Sequence, residues 1–432
     1  MKRGADFLVE NAAQLATITF SPRATNPEEK LGVIRNGTLA AKGGRIVWVG
    51  PAGDTSKQVS LLPGGKEMDA SGKVVLPGFI DSHTHLIFAG TREKEFELRL
   101  QGASYQEIAA KGGGIKSTVE KTRRASKDEL VQIGKKNLDS MLSLGTTTVE
   151  AKTGYGLSTK DEIKMLEALR DLSREHPIEL VPTFLGAHEI PPEYAGKTED
   201  YVRLVIDEMI PAVAEKELAI FCDVFCEKGV FSLEQSRRIL EAGKRYGMIP
   251  KLHADELTPL GGAELAAEIG AVSADHLLFI SDKGMQAMAQ KGVVATLLPG
   301  TAFFLFLGRY APARQMISKG VNVALASDFN PGSCMTESLP LITTIACTQM
   351  RMTPAEAIQG ITLNAAKALR KEKEIGSLEP GKQADLVVLD IPDYRHLSYH
   401  FGVNHVWKVV KRGRIVWEAE SSHSTIRVDP RH

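Results

Sequence analysis

The stretch LPGFIDSHTHL, residues 76–86, decides the fold of this chain. An apolar run reaches Ile80, and His83 and His85 follow it two positions apart. Because alternate side chains of a strand point to the same face, both imidazoles can reach one metal ion. A His-x-His pair alone is more often structural than metal-binding, so its meaning depends on what the rest of the chain places beside it. The stretch predicts a strand that ends in metal-capable side chains.

Short β-branched runs recur after this one and alternate with amphipathic stretches of helical spacing. The predicted strands are residues 74–80, 146–150, 178–183, 220–225, 249–253, 271–276, 293–298 and 321–326. Eight strands that alternate with helices predict a parallel sheet closed into a (β/α)8 TIM-type barrel, here over residues 74–368. A doubly wound open sheet is the alternative. It is disfavoured because no Gly-x-Gly-x-x-Gly sequence follows an early strand.

The two ends of the chain have a different pattern. Residues 31–50 predict β-hairpins, with turn signals at Asn36-Gly37 and at Gly43-Gly44. Residues 384–391 and 406–417 repeat this character near the other end. Chain ends often lie close together. We therefore expect residues 1–73 and 369–432 to build one small β-sandwich domain, with the barrel inserted between its halves.

Composition excludes several classes of partner. Lys plus Arg and Asp plus Glu both number 53, so the net charge is zero and gives no electrostatic reason to expect a nucleic-acid partner. The longest uncharged run, residues 292–308, contains a Pro-Gly pair and is a poor membrane span. The cysteines form no zinc-finger or disulfide framework, which predicts buried thiols in a reducing compartment; they are Cys222, Cys226, Cys334 and Cys347. We expect a soluble cytoplasmic protein.

Metal-capable side chains also stand at the ends of other predicted strands; they are His188, His253, His276 and Asp328. Each has an ordinary explanation on its own, such as a core histidine or, for Asp328, a helix cap. A barrel brings the C-terminal ends of all its strands to one mouth, so their coincidence predicts one metal centre. Imidazole and carboxylate ligands favour zinc or iron, and an open coordination position would serve hydrolysis.

Glu256 lies three residues after His253, in the loop beyond the fifth predicted strand. A carboxylate there can carry a proton between a water molecule and a leaving nitrogen. The alternative explanation is a carboxylate at the start of the next helix.

The segment LPGFIDSHTHL and the tail GSLEPGKQADLVVLD, residues 376–390, together resemble the metal-dependent amidohydrolase superfamily. The loops resemble one of its member families over nearly the whole barrel. The matching runs include FAGTREKEFELRLQGASYQEIAAKGGGI, TTTVEAKTGYGL, TFLGAHEIP, DVFCEKGVFS, KLHADEL, SADHLL, LLPGTAFFL and ASDFNPGS. Long matched loops are more specific than a His-x-His pair.

The resemblance implies hydrolysis of the ring carbon–nitrogen bond of 4-imidazolone-5-propanoate to N-formimidoyl-L-glutamate, a step of histidine degradation. It implies one Zn2+ or Fe3+ per subunit and a homodimer. The implied metal ligands are His83, His85, His253 and Asp328. His276 is implied as a catalytic group near the metal. The strand-four end CDVFCEKG offers no clear match to the carboxylated lysine of binuclear relatives, so a mononuclear site is expected.

The propanoate tail requires cationic and hydroxyl donors. The resemblance implies that the substrate is bound by Arg92, Tyr105, Tyr155, His188, Glu256, Asn330, Gly332 and Ser333. In the mechanism we expect, activated water attacks the ring carbonyl carbon, and His276 and the metal stabilise the oxyanion. Glu256 takes the water proton and delivers it to the departing nitrogen. Asp328 holds the metal and assists this transfer.

Two other interpretations stay open. A purine or pyrimidine deaminase on the same scaffold would share the four ligands but would not need Arg92. A non-enzymatic, zinc-stabilised scaffold would have a closed and usually cysteine-rich site. The predicted ligand set contains no thiolate, which disfavours the scaffold.

Overall fold

The structure, a computed structural model, describes residues 2–19, 25–102 and 113–420. These residues form two eight-stranded sheets. The first sheet contains β1 (Arg3–Ala16), β2 (Val33–Lys42), β3 (Arg45–Pro51), β4 (Val59–Asp69), β5 (Val74–Pro77), β14 (Leu386–Leu389), β15 (Val406–Lys411) and β16 (Arg414–Glu418). The second contains β6 (Phe79–Thr84), β7 (Thr146–Lys152), β8 (Glu179–Ala187), β9 (Phe221–Cys226), β10 (Ile249–Ala254), β11 (Ser273–His276), β12 (Val294–Leu297) and β13 (Val323–Leu325).

The second sheet is the predicted barrel. Its strands pair in chain order and all neighbours are parallel. A parallel bridge between Thr84 and Phe329 joins the first strand to the segment after the last. The alternative of an open, doubly wound sheet is therefore wrong. Helices cover the outer face of the strands, and apolar side chains between the two layers form the main core.

The first predicted strand, residues 74–80, is divided between the two sheets. Val74–Pro77 pairs with β1 and β14 in the terminal sheet, and only from Phe79 does the chain enter the barrel. The division falls at Gly78, where an added Cβ would collide with the side chain of Thr147. A continuous apolar run contains no signal of this change because both strands are buried.

The terminal sheet is built from both ends of the chain, as the sequence predicts. In it β14 pairs antiparallel with β5 and β15, so the C-terminal strands continue a sheet begun by the N-terminal ones. Its core is a separate cluster of buried apolar side chains that includes Leu15, Val75 and Leu386. The predicted turn at Asn36-Gly37 is wrong, because both residues lie inside β2; the turn that leads to β3 is at Gly43-Gly44.

Helices follow most barrel strands. In the described residues the α-helices are Pro27–Leu31, Ala52–Gln58, Glu93–Leu100, Ile115–Arg124, Lys127–Ser143, Thr159–Glu175, Thr198–Leu204, Ile210–Glu215, Leu233–Arg245, Gly262–Ile269, Asp282–Lys291, Pro299–Phe304, Ala313–Ser318, Leu339–Met350, Pro354–Gly360, Leu363–Ala368 and His396–Tyr399. A 3-10 turn, Pro192–Tyr194, lies in the loop after β8, and a π-helical turn, Val205–Met209, joins the helices Thr198–Leu204 and Ile210–Glu215. None of the helices in the described ranges combines the length and the apolar character that a membrane span requires.

Candidate active site

The candidate active site lies at the C-terminal ends of the barrel strands. His83 belongs to β6 and His253 to β10, and Asp328 follows shortly after β13. The backbone N–H of Asp328 donates to the carbonyl of His83 at 3.0 Å, and that of His85 donates to the carbonyl of Phe329 at 2.9 Å. These bonds join the first strand to the last. Closure of the barrel therefore brings His83 and His85 next to Asp328.

Five predicted side chains meet at this mouth, and all five are buried. The imidazole nitrogens of His83, His85 and His253 lie within 4.8 Å of one another, and so do ligand atoms of His83, His276 and Asp328. Oδ1 of Asp328 is 3.5 Å from Nε2 of His83 and 3.6 Å from Nε2 of His85. The side chains predicted as metal ligands therefore share one cluster, and His276 lies beside them.

This set of donors fits a metal ion. Nε2 of His83 and Nε2 of His253 are buried nitrogens with no hydrogen-bond partner in the described part of the chain. Burial, reinforced by nearby positive charges, lowers the pKa of His83 and of His85 well below its ordinary value. Both imidazoles are therefore neutral at pH 7, as metal ligands must be. Burial also acts against the charged form of His253, but the Asp223 carboxylate outweighs it and raises the pKa.

The backbone is strained at two of these positions. His276 has φ 74° and Asp328 has φ 53°, in the left-handed region that residues other than glycine seldom adopt. Such strain concentrates at functional sites, where the surrounding structure must compensate for it. Oδ2 of Asp328 accepts a hydrogen bond from the Thr301 hydroxyl at 2.6 Å. This bond holds the carboxylate so that Oδ1 stays near His83 and His85.

Glu256 lies in the loop after β10, with Oε2 3.5 Å from Nε2 of His276. Burial, followed by the charge of nearby Asp328, raises the pKa of Glu256 to about 8. The alternative explanation of Glu256 as a helix-start carboxylate is wrong, since the next helix spans Gly262–Ile269. A buried carboxyl group of raised pKa that faces an imidazole is suited to proton transfer near neutral pH.

The loop of Glu256 is held by Glu227, the residue that directly follows strand β9. The buried Glu227 carboxylate accepts the backbone N–H of Leu257 at 2.9 Å and that of Thr258 at 3.3 Å. The fourth strand of the barrel, β9, is therefore followed by a carboxylate that shapes the next loop. The Glu227 side chain is occupied by its hydrogen bonds to that loop.

The cluster opens into a cavity of about 460 Å3, a volume typical of small-molecule sites. Most of the predicted substrate-binding residues line it; they are Arg92, Tyr155, His188, Glu256, Asn330, Gly332 and Ser333. The ring of His188 stacks on His85 with 4.8 Å between centroids, and its Nδ1 lies 3.0 Å from the carbonyl oxygen of Gly154. The remaining predicted residue, Tyr105, lies outside the described residues.

Arg92 is fixed on the cavity wall from two sides. Its Nε donates to Oε2 of Glu95 at 2.8 Å, and the other Glu95 oxygen accepts the backbone N–H of Gly114 at 3.0 Å. On the opposite side the guanidinium packs against Gly332, where an added Cβ would lie 2.9 Å from Cζ. Gly332 therefore provides the space that the arginine occupies.

Asn330 organises the loop that contains Gly332. Its Nδ2 donates to the carbonyl of Asp328 and to the hydroxyl of Ser333, both at 2.7 Å. Its Oδ1 accepts the backbone N–H groups of Gly332 and Ser333, both at 2.8 Å. The Asn-Pro-Gly turn is thus closed by the Asn330 side chain, whose polar atoms are all engaged within the loop.

Several residues that support the site were missed by sequence reasoning; they are Glu95, Lys152, Asp223, Glu227, Asp275 and Thr301. Asp223 and Asp275 contact histidines of the cluster from behind, and both lie inside barrel strands. The sequence does contain a signal for these two aspartates. Charged residues in the middle of otherwise apolar predicted strands are unusual, and in a closed barrel they must find partners inside it.

The family model described as "Amidohydrolase family" matches residues 74–416. The imidazolonepropionase of Symbiobacterium thermophilum is 53% identical over 415 residues, which cover 96% of this chain and 98% of that protein. The imidazolonepropionase of Alkaliphilus metalliredigens is 50% identical over 413 residues, with 95% and 98% covered. Among solved structures, the E. coli guanine deaminase has a TM-score of 0.72 at 17% identity and covers 96% of this chain and 99% of its own.

The chain therefore belongs to the amidohydrolase family, whose members are hydrolases, and the histidine cluster indicates a metal cofactor. Within that family it belongs with the imidazolonepropionases, because relatives of that name match it over almost its full length. The likeness to the deaminase concerns the fold alone, so it does not support the deaminase interpretation.

Proposed function

We propose that the residues of this cavity carry out hydrolysis of the ring carbon–nitrogen bond of 4-imidazolone-5-propanoate, giving N-formimidoyl-L-glutamate. The observation that carries this proposal is that a histidine and aspartate cluster and the clamped Arg92 line one cavity. Ring opening needs an activated water, and the propanoate tail needs a cation. The cavity provides groups suited to both.

We assign His83, His85, His253 and Asp328 as the ligands of one Zn2+ or Fe3+ per subunit. When bound, such an ion lowers the pKa of a water molecule and acts as a Lewis acid toward the ring carbonyl. Three imidazoles and one carboxylate are a ligand set that both ions accept. Elemental analysis of protein produced without metal supplement distinguishes the two ions.

Proton transfer is assigned to Glu256. In its ionised form Glu256 takes the proton of the attacking water, and the resulting acid delivers this proton to the departing ring nitrogen. His276, whose Nε2 is 3.5 Å from the Glu256 carboxylate, donates a hydrogen bond to the substrate oxygen on which negative charge develops. Asp328 holds the metal ion, and its carboxylate assists the proton transfer. The buried position of these three residues keeps bulk water away from the transfer.

Substrate orientation is assigned to the other side of the cavity. Arg92 binds the propanoate carboxylate, with Tyr105, Tyr155 and His188 as further donors. The turn of Asn330, Gly332 and Ser333 supports the arginine and contacts the substrate. A charge-assisted pair with the half-buried Arg92 favours an anionic tail over a neutral one.

The test is loss of imidazolone absorbance when the protein is mixed with 4-imidazolone-5-propanoate, before and after chelator treatment. We expect turnover that chelator abolishes and that added Zn2+ or Fe3+ restores. Guanine and cytosine serve as control substrates and should release no ammonia. Deamination without ring opening would contradict the proposal.

We further propose a cytoplasmic homodimer. Its domain limits follow the prediction of residues 1–73, 74–368 and 369–432, except that Val74–Pro77 is assigned to the terminal domain because it pairs with β1 and β14. The four free cysteines support a reducing compartment. Light scattering after size-exclusion chromatography measures the oligomeric state, and a monomer at micromolar concentration would contradict the dimer.

A further inference from the structure

Behind the metal-capable cluster, the interior of the barrel holds a group of charged side chains that are fully buried. They are Glu150, Lys152, Asp223, Lys251 and Asp275. Removing charges from water is costly unless each finds a partner. The roles assigned above to the substrate, the metal ion and the proton transfer use none of these five residues.

Lys152, the last residue of β7, connects the three carboxylates of this group. Its Nζ lies 2.8 Å from Oε1 of Glu150 and 2.7 Å from Oδ2 of Asp223. It lies 3.6 Å from Oδ2 of Asp275. One ammonium group therefore links strand β7 to strands β9 and β11 across the inside of the barrel.

The same two aspartate oxygens also contact histidines of the cluster. Oδ2 of Asp275 is 2.6 Å from Nδ1 of His83, and Oδ2 of Asp223 is 3.1 Å from Nδ1 of His253. A carboxylate at Nδ1 keeps the proton on that nitrogen and leaves the lone pair on Nε2. Both Nε2 atoms are buried and have no hydrogen-bond partner in the described residues. Nδ1 of His83 is hydrogen-bonded to Asp275, whereas Nδ1 of His253 meets Asp223 at ion-pair distance without the geometry of a hydrogen bond.

We propose that Lys152 is a positioning residue for the metal centre, because it fixes Asp223 and Asp275 and, through them, His83 and His253. The inference rests on the metal role proposed above for these two histidines. Without the ammonium, two buried carboxylates would lose their shared counter-charge and would be free to turn away from the imidazoles. His83 and His253 would then lose their fixed orientation, although every residue that binds the ion directly would still be present.

Lys251 offers a matched control. It is as fully buried as Lys152, lies 3.3 Å from the same oxygen of Glu150 and donates to the carbonyl of Ser82 at 3.1 Å. Among the ion pairs of the described residues, Lys251 takes part only in the one with Glu150. Both lysines thus support Glu150, whereas Lys152 alone also contacts the two aspartates.

The experiment measures zinc affinity of the metal-free protein. Zn2+ is titrated into chelator-treated wild type, Lys152→Met and Lys251→Met against a chromophoric competing chelator, and the unfolding midpoint of each metal-free form is recorded. We expect Lys152→Met to bind zinc about 10- to 100-fold more weakly, as for losses of residues that orient metal ligands. Lys251→Met should bind zinc like the wild type, while both variants unfold more readily.

Equal zinc affinity of Lys152→Met and wild type, or an equal loss in both variants, would overturn the positioning role while leaving the metal site intact. A wild-type protein that binds neither zinc nor iron would overturn the proposed metal site and the inference with it. If Lys152→Met does not fold, Lys152→Gln replaces it, since its amide keeps a donor without the charge. If neither Lys152 variant folds in the presence of zinc, the role of Lys152 is structural and the proposal is wrong.

Discussion

The carboxylate of Glu256 faces the imidazole of His276 across 3.5 Å on the wall of the cavity. Glu256 comes from the loop after β10 and His276 from the end of β11, where the backbone is strained. The pair therefore depends on two neighbouring strands ending at the same height. We expect it to act as one unit in proton transfer and oxyanion stabilisation.

The change Glu256→Gln keeps the size of the side chain and removes its basicity. We expect turnover to fall by roughly 10^2- to 10^4-fold, the usual contribution of a general acid–base group. Metal content should stay at the wild-type level, because Glu256 is not among the proposed ligands. Turnover and bound metal are measured on the same preparation, with the exposed Glu268→Gln as a control. A metal-loaded Glu256→Gln protein of full activity would refute this role.

The change Arg92→Gln removes the proposed partner of the propanoate carboxylate. A hydrogen bond to a charged group contributes about 1.5–3 kcal/mol, so KM should rise roughly 10- to 100-fold with a smaller effect on kcat. The sharper measurement uses the propanamide analogue of the substrate. Wild type should prefer the carboxylate strongly, and Arg92→Gln should lose this preference. An unchanged preference would mean that another residue binds the tail.

The change Gly332→Ala tests how Arg92 is held. The new methyl group would collide with the guanidinium, which can move because it is the end of a flexible side chain. We expect little loss of stability and a rise in KM like that of Arg92→Gln, with no further rise in the double variant. Gly53→Ala, at a position with nothing within 4 Å, is the control. Additive effects of the two changes would show that Gly332 acts independently of Arg92.

Glu179 gives a prediction about pH. Located at the start of β8, it lies 2.7 Å from Lys371 and 3.3 Å from Lys411 of the terminal sheet. Burial favours the neutral acid, but these lysines outweigh it and lower the pKa of Glu179 to about 2. A carboxyl group whose pKa is lower in the folded than in the unfolded chain stabilises the folded state. For Glu179 this stabilisation is complete at pH values above the unfolded pKa of about 4.3, and it is lost as the pH falls toward 2.

We therefore expect Glu179→Gln to lower the free energy of unfolding by up to about 3 kcal/mol at pH 7, and this difference from wild type to shrink between pH 5 and pH 3. Urea unfolding at several pH values measures it. A difference that stays constant over this range would show that the ionised carboxylate is not the cause.

The sequence predicted the barrel well because each strand is a short apolar run bounded by helices of clear spacing. It also predicted that His83, His253 and Asp328 meet at one mouth, because each lies at or shortly after the C-terminal end of a barrel strand. The roles of these residues stay predictions. The sequence failed at Val74–Pro77, since a buried strand has the same pattern in either sheet. It also failed for Lys152 and Asp275. Each has one partner on its own strand, but their contacts with each other and with Asp223 and His83 cross between strands, so only the closed barrel reveals why charges are tolerated there.

The bonds that close the barrel have a consequence for folding kinetics. Ser327 binds Asp81, which is 246 positions away, and His83 and Asp328 lie at the same junction. Contacts between residues so distant in sequence carry a large loop-closure entropy and tend to form slowly. The binding site is therefore completed by the step that closes the ring. A ligand held from both sides of this junction would slow the reopening of the barrel, so the lifetime of the folded ring should lengthen with occupancy of the site.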